Sequence, residues 1–436
     1  MHNTIKPLKV DVLVDLVWGA AAGGHVKCWE RLAEAATEFA GTLDLTVHFS
    51  GPATLRHDLS PHVRYQIHRP VFSTRRLPFL NRIPDDTDLA PFHPGLARML
   101  GQGNVLHTTD AYFAFARTAQ LISRLRGVPL VNSVHTETPS YTRVFTADLI
   151  RHRFGEGRLT RWLLEQLQID HRGEAAMRRR LERHQRQSVY ALVSSVSACH
   201  ELQSRLGQER AGLFRRGVDR TLFTPSRRDR HWLQAEYGIP TDRIVVLCVG
   251  RVNQGKNVLL LAQAVKRLAD CGMPVQLFCA GEGDQRQVVR TLLGEAATCP
   301  GVIERQTLAR VYASADLFAM PSEIEVFANV VMEALASGLP SLVTAEGGMG
   351  RMLRPGSNGL ELPGSDISAW EEAIADLITD DERRQRMALA AREAAERDLP
   401  SWQDVLRQDL LPVWRRAAVR CAVQTQTNPR CTAIKS

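Results

Sequence analysis

The sequence has no run approaching the roughly 18 to 20 uninterrupted apolar residues that a membrane-spanning helix needs. Its apolar start, Val10 to Trp18, contains Asp11 and Asp15, which does not suit a secretory signal. The eight cysteines are scattered without a Cys-x-x-Cys pair, so neither a disulfide framework nor a zinc cluster is indicated, and most are expected to be reduced apolar fillers. His-Glu-x-x-His, Gly-x-Ser-x-Gly and the P-loop lysine pattern are missing, which removes the usual footing for hydrolase and P-loop ATPase chemistry. The expected location is the cytoplasm, with peripheral contact on the inner face of a membrane as the extension of that reading.

What is present is an ordinary globular composition, 44% hydrophobic and 23% charged over 436 residues, enough for two or three domains. The +8 net charge is unevenly placed: residues 1–215 hold 28 Lys+Arg against 20 Asp+Glu, and residues 216–436 hold 27 of each. A basic first half fits an anionic partner, such as acidic lipid headgroups or phosphorylated acceptors, or ordinary solubilising arginine. Nucleic acid is not the expected partner, since no reading helix or stacking motif accompanies the charge.

Val10 to Val17 reads as a strand, followed by a glycine-rich turn and a helix with Trp29, Leu32, Ala33 and Ala36 on one face. Short apolar runs at Val105 to His107, Pro129 to Val134 and Tyr190 to Val196 continue the pattern, separated by crossover lengths that argue for a parallel sheet. The second half restarts it with Ile244 to Val249, Val275 to Ala280, Leu317 to Met320 and Pro340 to Val343, nearly all apolar as for strands covered on both faces. Two doubly wound α/β domains follow, 1–215 and 216–400, with a closing helix over 401–423 that Pro412 should kink or break, and a mobile tail over 424–436. Residues 145–190 carry ten arginines against six acids, with Leu159, Trp162, Leu163 and Leu167 at helical spacing. They read either as a solvated helix face or, over 151–186, as a contact with an anionic membrane.

Ligands of open α/β sheets bind beyond the carboxyl ends of the strands, so the residues that follow each strand are the ones to question. Arg251 and Lys256 share one loop at the mouth of a helix, and two cations beside free helix-start amides make an anion site suited to a diphosphate. Gly281, Glu282, Gly283 and Asp284 follow the next strand. Glu325 and Glu333 are eight residues apart, a rise of about 12 Å if helical, which lets two carboxylates reach opposite ends of one elongated ligand. Acidic acceptors suit sugar hydroxyls. Gly23 and Gly24 open the first helix, where a missing side chain permits close approach of a ligand or merely eases a turn. His135 ends a strand before a polar loop; by itself such a histidine is more often structural. Asp86-Thr87-Asp88, between Pro84 and Pro91, reads as a solvated loop rather than a metal site.

Gly250-Arg251-Val252-Asn253-Gln254-Gly255-Lys256, the stretch Tyr312 to Ser322, and Glu325-x7-Glu333 with Ala334-x-Ala336-Ser337-Gly338-Leu339-Pro340 resemble retaining glycosyltransferases of family 4, the glycosyl transferases group 1. Arg216-Gly217-Val218-Asp219 resembles the entry to their second domain, and Gly23-Gly24 and His135 to Tyr141 agree in the first half. The resemblance implies an α/β GT-B fold of two facing Rossmann-like doubly wound parallel-sheet domains. It implies transfer of a hexose from a UDP-, GDP- or ADP-sugar to a lipid, glycan or small-molecule acceptor, with retained configuration, no cofactor and no metal. Carried over by position, Arg251 and Lys256 neutralise the diphosphate, Glu333 holds ribose, and Glu325 and His135 meet the transferred sugar. The amides of Phe327 and Ala328 face sugar and phosphate, and Gly24 approaches from the other domain. Ala328 stands where glycine is common, and Arg216 where the family often has Asn. The alternatives are a noncatalytic sugar-nucleotide-binding partner of the same fold, or a GT-B phosphorylase or epimerase.

Overall fold

The structure, a computed structural model, describes residues 6–19, 22–77, 86–322, 329–346 and 348–427, with side chains as far as Arg420. The chain forms two compact units, one comprising the N-terminal part to Arg215 together with the chain from Gln403 onward, the other Arg216–Trp402.

The first unit is built on eight strands: β1 (Leu8–Val17), β2 (Leu43–Ser50), β3 (Leu55–Ser60), β4 (Val63–His68), β5 (Val105–Thr108), β6 (Leu130–Val134), β7 (Tyr190–Val193) and β8 (Ala211–Leu213). They are ordered β3-β4-β2-β1-β5-β6-β7-β8. All neighbours are parallel except β3, which runs antiparallel to β4, so the expectation of a purely parallel sheet holds only inward of that edge. Exposed Arg56, His57 and Asp58 on β3 blunt the edge against pairing with another chain. β1 is buried at Val10 and from Val12 to Asp15, and the helix Gly24–Ala36 buries Val26, Cys28, Trp29, Leu32, Ala33 and Ala36.

Three local readings need correction. The run expected as a strand through Val196 stops at Val193, because Ser195 caps the helix Val196–Leu206 by accepting a hydrogen bond from the Ala198 amide at 3.2 Å. Pro412 does not break the last helix. The segments Trp402–Val405 and Leu411–Thr427 are joined by a wider π turn, Leu406–Leu410, whose shifted hydrogen-bond register accommodates a residue with no N–H. That helix reaches Thr427, so residues 424–427, read as the start of a mobile tail, are helical; 428–436 lie outside the described residues. Among the described residues no helix is long and apolar enough to cross a membrane.

The second unit holds β9 (Ile244–Val249), β10 (Val275–Ala280), β11 (Ala297–Gly301), β12 (Leu317–Met320), β13 (Ser341–Thr344) and β14 (Gly359–Leu362) in the order β11-β10-β9-β12-β13-β14, every pair parallel. Alternate residues of β9 feed two separate cores: Val245, Leu247 and Val249 join Phe278, Tyr312 and Phe318 on one face, and Val246 and Cys248 join Leu277, Leu317 and Trp370 on the other. A period-two strand that is apolar on both faces must be covered on both, and helices do so here. The strand order reverses direction between β9 and β12. That switch point is where the carboxyl ends of a doubly wound sheet leave a crevice.

Candidate active site

Of the residues singled out in the sequence, Gly23, Gly24 and His135 belong to the first unit and Arg251, Lys256 and Glu333 to the second. Glu325, Phe327 and Ala328 lie outside the described residues.

In the second unit the loop after β9 is made by backbone contact with the loop after β10. Gly250 and Gly281 sit at φ +147° and +140°, where a side chain is strained. A Cβ on Gly281 would lie 1.9 Å from the Gly250 carbonyl oxygen, and one on Gly283 would lie 2.1 Å from that of Val252. The Gly250 amide donates to Ala280 O, and the Val252 amide to Glu282 O, both at 2.9 Å. The stretch Gly281 to Asp284 is thus committed to holding the β9 loop, with Glu282 paired to Arg286 at 2.9 Å.

The β9 loop then makes a short 3-10 turn, Gln254–Lys256, and enters the helix Val258–Asp270 through Asn257 at φ +52°. Asn257 is held there by its amide, which donates to Gly364 O at 2.7 Å. This brings Arg251 and Lys256 together at the carboxyl end of β9. Burial, and then the nearby guanidinium of Arg251, depress the Lys256 ammonium to about 8. The end of β12 is fastened to the same loop: Ser322 Oγ donates to Gly255 O at 3.1 Å, and Thr344 Oγ1, at the end of β13, donates to Ser322 O at 2.7 Å.

Glu333 is half-buried on the helix Asn329–Ala336. Its carboxylate is in hydrogen-bond contact with the buried Tyr312 phenol, which burial first and Glu333 second push well upward. Tyr312 Oη also reaches Val330 O at 3.3 Å. The partner that a solitary charge in an apolar helix demands is therefore Tyr312, quoted above only as part of a motif. Its signal was a tyrosine in a segment otherwise packing as core.

In the first unit Gly23 caps the helix Gly24–Ala36 at φ −68°, and a Cβ on Gly24 would meet nothing within 4 Å. Neither backbone geometry nor packing accounts for glycine at position 24. His135 follows β6, half-buried, with its ring stacked on His25 at 4.3 Å and flanked by Trp29 and Phe214. Its Nε2 lies 2.8 Å from Ser133 Oγ. His25 and Ser133 were not singled out in the sequence, although the spacing of two puts His135, just past the end of β6, on the same side of the chain as Ser133.

Three acids, Asp15 and Asp88 buried and Asp110 half-buried, order the loops beyond β1 and β5. Asp15 accepts from the Asp88 and Phe115 amides. Asp110 accepts from the Tyr112 and Phe113 amides. Asp88 accepts from Val71, Phe72 and Ala90, and is fully buried. The Asp86-Thr87-Asp88 stretch is therefore not a solvated loop: Asp86 takes the hydroxyls of Ser73 and Thr74, and Asp88 spends both oxygens on backbone amides. Nearby, Tyr112 is buried and its hydroxyl has no hydrogen-bond partner among the described residues. Arg178 and Arg180 lie close enough to act on it, and Arg180 is itself depressed by burial, then by Arg117.

Residues 229–394 match the family model described as glycosyl transferases group 1. The chain is 29% identical over 345 residues to D-inositol 3-phosphate glycosyltransferase 1 of Catenulispora acidiphila, covering 76% of each protein. It is 35% identical over 195 residues to D-inositol 3-phosphate glycosyltransferase of Xylanimonas cellulosilytica, covering 42% of this chain and 46% of that protein. The matched region spans about half the length of most of the curated relatives. Among solved structures, sucrose-phosphate synthase of Thermosynechococcus elongatus superposes with a TM-score of 0.66 at 19% identity, over 95% of this chain and 100% of that one, a likeness of fold.

Proposed function

We propose that the chain, whose residues 229–394 match the glycosyl transferases group 1 model and whose fold is GT-B, transfers a hexose from a nucleoside-diphosphate sugar to an acceptor with retained configuration. The observation that carries this reading is the convergence of Arg251 and Lys256 at the carboxyl end of β9, at a strand-order switch point. As the bond from the anomeric carbon to the diphosphate breaks, its electron pair passes to the phosphate oxygen and the sugar becomes oxocarbenium-like. Fixed cations at that oxygen stabilise the charge as it develops. The acceptor oxygen then bonds to the anomeric carbon on the same face and yields its proton to the departing phosphate, so no enzyme nucleophile is needed. Two protein cations do the work that a divalent ion does elsewhere, which makes the proposed reaction metal-independent.

In this reading Glu333, steadied by Tyr312, accepts the ribose hydroxyls, and Glu325 and His135 contact the sugar. By the family pattern the amides of Phe327 and Ala328 face sugar and phosphate, and glycine at positions 23 and 24 permits close approach of the ligand. For the acceptor, the arginines around Tyr112 and Asp110 favour a phosphorylated small molecule, the chemistry in the names of the two relatives above. A second contact is supported by Phe154, Leu159 and Trp162, each about half exposed, beside exposed Arg151, Arg153, Arg158 and Arg161. An apolar and basic surface of this kind fits peripheral binding to anionic lipid.

The test is a thermal-shift panel of UDP-, GDP- and ADP-sugars, followed by proton NMR of the product formed from the donor that shifts. One donor should raise the melting temperature and give a product with the donor's anomeric configuration. An inverted product, or no shift with any donor, contradicts the reading. Liposome flotation should improve with anionic lipid and weaken with salt; indifference to both removes the membrane contact.

A further inference from the structure

A line of hydrogen bonds crosses the interior of the first unit and ends on His135. Trp414 Nε1, on the helix Leu411–Thr427, donates to His107 Nδ1 at 2.9 Å. His107 Nε2, on β5, lies 2.9 Å from Ser133 Oγ on β6, and Ser133 Oγ lies 2.8 Å from His135 Nε2. Trp414, His107 and Ser133 are fully buried, so water does not compete for these atoms.

Each direction follows from the one before it. An indole N–H only donates, so His107 Nδ1 must accept and the ring proton of His107 sits on Nε2. Burial drives the His107 pKa down to about 3, which keeps that ring neutral. Its Nε2–H then donates to Ser133 Oγ, and the single hydroxyl proton of Ser133 is left for His135 Nε2. His135 Nε2 therefore accepts, and its proton sits on Nδ1. Protonating His135 would turn Nε2 into a second donor toward Ser133 and displace the serine proton from its acceptor, in a place closed to solvent.

We infer that Trp414, His107 and Ser133 are positioning residues that hold His135 as its neutral Nδ1–H tautomer, so that it meets the sugar as a fixed hydrogen-bond donor and not as a base. The inference rests on the transfer reading for what His135 touches, but not for its tautomer. The surroundings agree. The helix Gly24–Ala36 contributes His25, stacked on the ring, and Trp29; the chain after β8 contributes Phe214; β5 contributes His107; and Glu137 lies two residues further along the loop. A positive charge on His135 would face the His25 ring and two apolar aromatics.

The experiment is nitrogen-15 NMR of the imidazole rings in the full chain labelled at histidine, with His135 assigned by its loss in His135→Gln. The expected spectrum shows protonated Nδ1 and bare Nε2 at His135, unchanged as the pH is lowered through the ordinary histidine pKa of about 6.5. Ser133→Ala should release the ring to a tautomer mixture that titrates in that range, and Ser133→Thr, which keeps a hydroxyl, should restore the wild-type signature. Trp414→Phe should loosen His107 and, through it, His135. A protonated Nε2 in the wild type, or an unchanged His135 signature in Ser133→Ala, overturns the inference. Should Trp414→Phe fail to fold, the serine pair carries the test. The spectra need neither donor nor acceptor, so the tautomer can fail while transfer stands, and transfer can fail while the tautomer stands.

Discussion

The two sheets solve one architectural problem with different materials. Both strand faces of the second unit are almost wholly apolar, and they separate cleanly into two cores. In the first unit polar side chains are buried within the strands themselves: His48, Ser50, Gln66, His68, His107, Thr108, Asn132 and Ser133. Six of them pair with one another, His48 with His68 at 3.0 Å, His107 with Ser133 at 2.9 Å and Asn132 with Thr108 at 3.2 Å, while Gln66 donates to Leu55 O and Ser50 Oγ has no hydrogen-bond partner among the described residues. An apolar sheet is held by area and tolerates modest change of shape, whereas a hydrogen-bonded interior depends on every partner remaining in place. The second unit is a plain scaffold carrying charge on its loops. The other half carries chemistry into its core.

The sharpest way to break this comparison is through glycine. Gly281→Ala forces a methyl onto the Gly250 carbonyl at an unfavourable φ, and should destabilise the protein by roughly 3 kcal/mol in thermal or denaturant melts. Gly24→Ala, with open space around the new methyl, should leave the melting temperature unchanged or slightly raised while transfer falls. Equal melts for the two variants would show that the β9 and β10 loops are not locked together, and full transfer by Gly24→Ala would remove that residue from the sugar.

A smaller effect comes from pH. In the proposed site a diphosphate binds the charged form of Lys256, whose folded-state pKa is lowered from 10.5 to about 8. Donor affinity should be constant below about pH 8 and fall about tenfold per unit above it, with proton uptake on binding in that range. Calorimetry in two buffers of different ionisation enthalpy measures both; a flat profile would show that the ammonium is not at the diphosphate. Tyr312→Phe removes one hydrogen bond from Glu333 and should weaken donor binding by about 1 kcal/mol, roughly fivefold, with little change in kcat. A fall in kcat alone would place Glu333 elsewhere than on the ribose. The smallest expected effect is none: with Arg251 and Lys256 at the phosphates, EDTA should leave the transfer rate unchanged.

How much of this was readable from the chain follows the same division. The strands β9, β10, β12 and β13 appear in the sequence as short apolar runs, and the cations of the β9 loop follow one of them directly. β2 and β4 are not continuous apolar runs: polar Asp44, Thr46, His48 and Ser50 alternate with apolar residues in one, and Arg64, Gln66 and His68 in the other, which is the period-two pattern of a strand with one apolar face. Asp88 resembled a solvated turn because nothing local reveals the distant amides of Val71 and Phe72. Trp414 and His107 are 307 residues apart, and no local pattern encodes a hydrogen bond at that separation. Periodicity reports which face is apolar; it does not report which buried polar atoms find each other.

The central claim is that Arg251 and Lys256 grip a diphosphate. The most direct measurement is calorimetric titration of the corresponding nucleoside diphosphate into the wild type and into Lys256→Ala, with melts to verify that both are folded. Removing one preorganised donor at the leaving-group site should weaken binding strongly and lower kcat/KM by roughly 10²- to 10³-fold. Equal affinity in the two proteins would contradict the account.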